Sequence, residues 1–415
     1  MAKDQSDFFK EKKPWSEVKD ELLACYLLPY FQKVLTTLKP VRYVDCFAGR
    51  GGFDDGKPGS PLIALDVARK SLAQGKTRNS ALELAFVEPR WAAELEKAAA
   101  RHEQLGIPPF VRYSVILGRF ERDVPSLVKT MAGQNVFLCV DPYGIRDLDH
   151  RLITSFADPN LRLNGIKLLI NFNTFGFFRA GCRALKVKYQ DDAALVGDEE
   201  FTDPIEQAID DEPRPIALLN AIAGGDYWAS VVEGYHHREV DGLGAERQLA
   251  ELYRRKLSET YRYVLSMPIR LQERQQPKYR MVFATNHPDG CIIMADNMMT
   301  RRANLDVHLE GRRQGTLFPQ TVDDEIVDPS RVQDQVRAIV DGLTSFVDAD
   351  EVVADVFARV GVVCTSDVVR QALRQLEVTN QIEVRRDPPT TPTGRPSTVS
   401  LPRQHQRIMV GPKAR

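Results

Sequence analysis

Short apolar runs and amphipathic segments alternate along the chain from residue 41 to residue 170. A short apolar run bounded by turn residues is typical of a buried strand, whereas apolar residues spaced three or four apart predict a helix. The predicted strands are residues 41–46, 83–88, 111–117, 136–140 and 166–170, and the predicted helices begin at Ser60 and Trp91 and near Val124 and Arg151. Strands that alternate with helices form a parallel sheet covered on both faces. The pattern therefore predicts an α/β fold with a mostly parallel sheet.

An amphipathic helical segment precedes the first predicted strand. Its apolar positions are Val18, Leu22, Tyr26, Tyr30 and Val34. This spacing places them on one helix face, and Pro29 is predicted to split the helix in two. Residues 1–40 are therefore predicted to be a helical cover for the sheet, with a frayed basic start.

The sheet region is predicted to extend to residue 306. A long helix at 245–261 is followed by apolar runs at 264–271 and 279–284, which predict a hairpin that closes the sheet. Residues 189–213 contain many Asp and Glu and neither Lys nor Arg, so they predict a solvated acidic insertion. Residues 41–306 are the predicted first domain.

A second, smaller domain is predicted near the end of the chain. The predicted parts are a linker at 307–329, the small domain at 330–402 and a basic tail at 403–415. Asp348 and Thr365 are predicted caps of two helices, and short strands are predicted at 382–386 and 397–401. Two helices followed by a two-stranded wing resemble a winged helix-turn-helix. Its predicted nucleic-acid-binding residues are Arg370, Arg374, Arg385, Arg386 and Arg395.

A glycine-rich loop follows the first predicted strand and is the most informative motif. The loop meets the P-loop pattern at Gly51 and Lys57, but Pro58 stands where a Ser or Thr hydroxyl would bind magnesium. A dinucleotide-binding loop would start a helix soon after Gly49 and Gly51, whereas here the loop continues for several residues. Both of these interpretations fit poorly.

The third interpretation is a site for S-adenosylmethionine, because DCFAGRGG resembles the first motif of Rossmann-like methyltransferases. By that resemblance the cofactor-binding residues are Asp45, Phe47, Ala48, Gly49, Gly51 and Gly52. Such a site also needs a carboxylate for the ribose hydroxyls, and Glu88 ends the second predicted strand. Phe120, after the third strand, is the predicted stacking partner of the adenine. A glycine-rich turn that binds no ligand is the competing interpretation.

The fourth predicted strand ends in Asp141-Pro142-Tyr143-Gly144. This resembles the Asp-Pro-Pro-Tyr signature of methyltransferases that act on exocyclic amines of adenine or cytosine. Such an amine is a weak nucleophile, so a carboxylate and a strand-end carbonyl must bind its hydrogens while an aromatic ring holds the flipped base. Asp141 is the predicted acceptor, Tyr143 the predicted platform, and Pro142 fixes the turn between them. The second proline of the signature is absent, so the sequence does not determine which atom accepts the methyl group. Methylation of cytosine C5 needs a cysteine nucleophile after a proline, and the chain has no Pro-Cys dipeptide.

Composition narrows the class of protein. The chain has 415 residues, 43% of them hydrophobic, and a net charge of −1, as expected of a globular protein. No apolar run is long enough to cross a membrane, and a cytoplasmic location is predicted. The six cysteines form no C-x-x-C pair, which predicts reduced thiols and no metal site. The arginine-rich end of the chain points toward nucleic acid.

These motifs together resemble the three-Cys-motif partner protein family (TcmP) over most of the chain. The matching stretches include YVDCFAGRGGFDDGKPGSPLIAL, FVEPR, FLCVDPYG and YRMVFATNHPDGCIIMADNM. Members are similar to Rossmann-like methyltransferases with a fused winged helix. They are named for a companion protein, encoded nearby, with a three-cysteine motif like that of radical S-adenosylmethionine enzymes. The resemblance implies such a partner.

The first hypothesis is therefore an S-adenosylmethionine-dependent methyltransferase acting on an exocyclic amine of a nucleic-acid base, DNA or RNA. Two alternatives stay open. One is a non-catalytic, methyltransferase-like protein that presents nucleic acid to the three-Cys-motif partner. The other is a winged-helix regulator that binds operator DNA.

Overall fold

A seven-stranded sheet is the centre of the first part of the chain. The computed structural model describes residues 9–73, 81–106, 108, 110–189, 215–269, 277, 279–312, 329–390 and 407–413. The strands of this sheet are β1 (Val41–Asp45), β2 (Leu82–Glu88), β3 (Val111–Leu117), β4 (Asn135–Val140), β5 (Gly165–Phe172), β6 (Tyr263–Ile269) and β7 (Tyr279–Thr285). Their order is β3-β2-β1-β4-β5-β7-β6, and only β7 runs antiparallel to its neighbours. The predicted α/β, mostly parallel, Rossmann-like sheet is thus confirmed.

Helices connect the strands and cover both faces of the sheet. They are α1 (Pro14–Leu35), α2 (Ser60–Ala73), α3 (Ala92–Glu103), α4 (Phe120–Lys129), α5 (His150–Ser155), α6 (Thr174–Ala184), α7 (Ile216–Ala223), α8 (Trp228–His236) and α9 (Gly242–Ser258). Strand residues alternate between the two faces, as the pleat requires. Tyr43 and Phe137 face α1, whereas Val44 and Leu138 belong to the buried cluster on the other face.

Helix α1 is continuous through Pro29, so the predicted split is wrong. The reason is packing against the sheet. Tyr26 and Tyr30 are buried, and their ring centroids lie 5.5 and 5.6 Å from that of Phe137. Tyr26 also lies 5.2 Å from Phe283. This buried aromatic cluster holds the helix together where proline removes one backbone hydrogen bond.

The order of the strands reverses direction at β1. From β1 the chain moves first to β2 and β3 on one side, then returns to β4 and β5 on the other. The loops after β1 and β4 therefore leave the sheet in opposite directions and open a crevice at its carboxyl edge. Ligands of open α/β sheets bind in this crevice.

The chain divides into two compact units, Met1–Asn286 and His287–Arg415. The second unit contains α10 (Pro288–Arg312), α11 (Pro329–Asp341), α12 (Ala349–Val360), α13 (Ser366–Val378), β8 (Val347–Asp348), β9 (Ile382–Asp387) and β10 (Arg407–Pro412). The division therefore precedes the predicted boundary at residue 306. Its cause is α10, where Asp296 accepts hydrogen bonds from the backbone N–H and the hydroxyl of Ser366 at the start of α13, each 2.6 Å long.

A three-stranded sheet of order β8-β10-β9 lies in the second unit. The predicted basic tail at 403–415 is wrong for Arg407–Pro412, which is strand β10 and pairs antiparallel with both β8 and β9. The predicted strand at 397–401, Arg395 and the acidic insertion from residue 190 to 213 lie outside the described residues. The winged helix stays a prediction.

Within the described ranges, no helix combines the length and apolarity needed to cross a membrane.

The six cysteines are all free, and five of them are buried.

Candidate cofactor and acceptor site

A cavity of about 340 Å³ lies at the carboxyl ends of β1, β2 and β4. This is the crevice created by the reversal of strand order. The predicted site residues along its wall are Phe47, Ala48, Gly49, Gly51, Gly52, Glu88, Phe120, Asp141, Pro142 and Tyr143. Asp45 lies behind the wall and is fully buried. Residues separated by almost a hundred positions in the sequence thus surround one space.

The loop after β1 needs glycine at two positions for a physical reason. Gly49 and Gly51 have φ angles of +63° and +85°, which side chains rarely adopt. A Cβ atom on Gly51 would lie only 2.9 Å from Leu95 Cδ1 in α3. The loop closes through a hydrogen bond of 2.9 Å from the Gly59 N–H to the Gly51 carbonyl, just before α2 begins. The glycines therefore let the backbone form the wall of the cavity.

Glu88 organises the loops on both sides of the cavity. It is 6% exposed, and its Oε2 accepts the backbone N–H of Gly49 at 2.9 Å. Its Oε1 accepts the N–H groups of Arg90 and Trp91 at 2.7 and 3.1 Å. A carboxylate has about four acceptor positions, so one position on Oε2 stays open toward a ligand. Glu88 can therefore bind one hydroxyl without losing its structural bonds.

Asp45 is a buried carboxyl at the end of β1. Its Oδ1 accepts the N–H of Phe47 at 3.2 Å, and its Oδ2 has no hydrogen-bond partner among the described residues. The pKa of Asp45 is raised to about 7, chiefly by burial, with the charges of Asp141 and Asp20 contributing to the rise. Hydrogen bonds from the Ser60 hydroxyl and the Phe47 N–H oppose it. Asp45 can therefore gain a proton near neutral pH.

The substitution Asp45→Asn is expected to remove a pH dependence of stability. The pKa of Asp45 is about 7 in the folded chain and near 3.8 when unfolded. Its contribution is therefore fully present below about pH 4 and is lost as the pH rises toward 7. Between these limits the wild-type free energy of unfolding should fall relative to Asp45→Asn, by at most about 4 kcal/mol. Denaturant unfolding of both proteins from pH 4.5 to 7.5 measures this, and parallel pH profiles would contradict it.

Phe120 begins α4 and lines one end of the cavity. It is 1% exposed, and its ring centroid lies 5.3 Å from that of Phe47 and 6.1 Å from that of Phe156. Its neighbours Arg119 and Glu121 also line the cavity but are largely exposed. The aromatic side of the cavity is therefore apolar within and charged at its mouth.

Asp141 carries two partners that sequence patterns did not reveal. The Lys19 ammonium donates to Oδ1 at 3.0 Å and to Oδ2 at 2.9 Å. The Asn171 amide donates to Oδ1 at 2.6 Å. Lys19 comes from α1, 122 positions earlier, so no local motif points to it. Asn171 left a weak signal, because it is a polar residue near the end of a buried strand.

The segment before α1 covers the glycine loop, so the predicted frayed start is wrong. The Phe9 ring lies 5.9 Å from the rings of Phe53 and Trp91, and the Arg50 guanidinium lies 4.5 Å from it. The Lys12 ammonium lies 2.5 Å from the Asp20 carboxylate, beside the cavity. These contacts bury Phe9 and Lys12, although the basic composition of this segment is typical of solvent-exposed chain.

The predicted nucleic-acid-binding arginines of the second unit differ in accessibility. Arg370 is 6% exposed and donates to Asp350 at 2.7 Å, so it is not open to solvent as its predicted role in nucleic-acid binding requires. Its helix turns that position toward α12. Arg386 is half-buried and paired with Glu377. Arg374 and Arg385 are exposed.

Comparison with models of known protein families finds none that matches this chain, and comparison with curated proteins finds no relative.

Proposed function

We propose that this protein binds S-adenosylmethionine and transfers its methyl group to a nucleic acid, with the acceptor group held at Asp141. One observation carries the proposal: the glycine loop, Glu88 and the Asp141 turn surround a single cavity at the reversal of strand order. The antiparallel hairpin of β6 and β7 at the end of the sheet is also how the fold of Rossmann-like methyltransferases usually ends.

The residues present fit such a cofactor. The Glu88 carboxylate, with one acceptor position open, suits a ribose hydroxyl. Phe47, which is half-buried and packs on the buried Phe120, offers apolar ring surface for the adenine. Asp20 lines the cavity and Asp45 lies behind its wall, and burial raises the pKa of both carboxyl groups. The positive charge of the methionine portion would favour their ionised forms. When bound, S-adenosylmethionine supplies an electrophilic methyl group.

Two exposed arginines of the second unit support binding of a nucleic acid. Arg374 and Arg385 are exposed cations in a unit whose helices and strands are compatible with a winged helix. Resemblance to the TcmP family supports a three-Cys-motif companion. The sequence predicts an exocyclic amine of a base as the acceptor, since Asp141-Pro142-Tyr143 follows a buried strand.

Purified protein is expected to bind S-adenosylmethionine and S-adenosylhomocysteine with one-to-one stoichiometry. Positive charge placed near Asp45 should lower its pKa, so binding near pH 6.5 should release protons. Titration calorimetry in buffers of different ionisation enthalpy measures both quantities, and Asp45→Asn should bind with less proton release. Absence of binding to either compound would refute the proposed function.

A further inference from the structure

The acceptor end of the cavity contains a lysine that an amine-binding site does not need. Lys19 is 12% exposed, and its ammonium contacts both oxygens of Asp141. The same ammonium lies 4.8 Å from the centroid of the Tyr279 ring, within the range of a cation–π contact. Lys19 and Asp141 both line the cavity. An approaching acceptor group therefore meets an ammonium and a carboxylate side by side.

Lys19 is held firmly in this place. It lies in α1, which packs on the sheet through Tyr26 and Tyr30. The next residue, Asp20, is bound by the Lys12 ammonium, which also donates to the Pro58 carbonyl at 2.7 Å. These contacts fix the backbone that carries Lys19. The Lys19 ammonium is therefore part of the acceptor site.

Asp141 has little capacity left for hydrogen-bond donors. Three hydrogen bonds, two from Lys19 and one from Asn171, already reach its oxygens. A carboxylate has about four acceptor positions, so one remains, and it lies on Oδ2. The two hydrogens of an amine cannot both bind this carboxylate. A hydroxyl needs only the one open position, whereas an amine needs a second acceptor, such as a backbone carbonyl, for its other hydrogen.

The charges favour a hydroxyl over an amine for a second reason. A hydroxyl both donates and accepts hydrogen bonds, so it can donate to Asp141 and accept from Lys19. An exocyclic amine delocalises its lone pair into the base and only donates. Its nitrogen also gains positive charge during methylation, which a neighbouring ammonium opposes. An oxygen that loses its proton gains negative charge, which the ammonium stabilises.

We infer that Lys19 and Asp141 together hold a hydroxyl acceptor, and that Lys19 is a catalytic residue. This inference rests on the proposed function, but the atom that accepts the methyl group is a hydroxyl oxygen instead of an amine nitrogen. Within a nucleic acid, the hydroxyl present on each nucleotide is the ribose 2′-hydroxyl of RNA, which DNA lacks. The substrate class is therefore RNA, methylated on ribose.

The transfer balances with the groups at hand. The hydroxyl oxygen uses a lone pair to form the bond to the methyl carbon. The electron pair of the broken carbon–sulfur bond stays on sulfur, which becomes a neutral thioether. The hydroxyl proton passes to the Asp141 carboxylate and then to water. While the proton is on Asp141, the positive charge of the sulfonium and the negative charge of the carboxylate are both lost; its transfer to water restores the carboxylate.

The test uses the full-length protein with methyl-labelled S-adenosylmethionine. The substrates are total RNA from cells that lack the protein, RNA transcribed in vitro and DNA of the same sequence. We expect label in RNA and none in DNA. The labelled linkage should resist alkaline hydrolysis, which needs a free 2′-hydroxyl, and mass spectrometry of nucleosides should find the methyl group on ribose. Lys19→Met should lower transfer at least tenfold while its affinity for S-adenosylhomocysteine stays within about twofold.

Two further variants separate chemistry from folding. Lys19→Arg keeps a cation beside Asp141 and should retain more transfer than Lys19→Met. Lys33→Met changes an exposed lysine of the same helix and should match the wild type. Label on a base, equal labelling of DNA, or full transfer by Lys19→Met would overturn the inference and leave the proposed function standing. Cofactor binding without transfer to any nucleic acid would overturn both the hydroxyl inference and the proposed methyl transfer.

Discussion

Replacing Glu88 with alanine is expected to lower the affinity for S-adenosylmethionine at least about 100-fold, or about 2.8 kcal/mol. The free energy of unfolding should fall by about 3 kcal/mol, because three backbone N–H groups lose a buried acceptor. Both effects have one cause: this side chain joins the loop after β1 to the loop after β2 and still has one acceptor position open. Calorimetry with the cofactor and urea unfolding measure the two quantities.

The isosteric variant Glu88→Gln separates the two roles. Its amide oxygen can accept the N–H groups of Arg90 and Trp91, but its NH₂ group would face the Gly49 N–H. Stability should therefore recover in part, whereas cofactor affinity should stay low. The control is Glu83→Gln on the same strand, whose side chain pairs with Arg42 and does not line the cavity. Wild-type affinity in Glu88→Gln would show that this carboxylate does not bind the ligand.

The second large effect is expected at Glu246 in α9. Glu246 is fully buried and receives two hydrogen bonds from Arg280, 2.7 and 2.9 Å long, together with one from the Thr174 hydroxyl. Glu246→Ala leaves the Arg280 guanidinium buried without its carboxylate. Loss of one partner of a buried ion pair costs about 3 to 5 kcal/mol. Urea unfolding should show a decrease of that size.

Because of where Arg280 lies, Glu246→Ala should also change methyl transfer. Arg280 pairs with Phe172 at the carboxyl end of β5 and follows Tyr279, whose ring contacts Lys19. Glu246→Ala should therefore impair methyl transfer more than cofactor affinity. Glu251→Ala is the matched control, because Glu251 lies on the same helix but is 39% exposed and should cost less than about 1 kcal/mol. Equal losses from the two substitutions would contradict the argument.

Local sequence patterns predicted the sheet because each strand is a separate apolar run. The runs that form β1, β4 and β5 are buried on both faces, so few polar residues interrupt them and each is recognised as a strand. Pro29 misled the prediction for α1, because helix propensity is a local quantity and the stacking of Tyr26 and Tyr30 on Phe137 is not. Strand β10 was missed for a similar reason, since its pairing with β8 and β9 is not a local property.

Local sequence patterns also predicted part of the candidate site. Asp45, Glu88 and Asp141 lie at the end of a buried strand or directly after it, so the sequence alone identified three candidate carboxylates. It also identified the glycine loop, where Gly49 and Gly51 adopt φ angles that other residues avoid. These features are determined locally, by strand ends and backbone conformation. They are what the sequence by itself determined about this protein.

Only the tertiary structure decided which groups stand beside those carboxylates. Lys19 reaches Asp141 across 122 positions, and Arg370 turns inward to Asp350 although Arg374, one helical turn away, is exposed. Helix periodicity tells which residues share a face but not what that face meets. Because packing of α1 on the sheet places the Lys19 ammonium beside Asp141, only the tertiary structure could suggest the proposed hydroxyl acceptor.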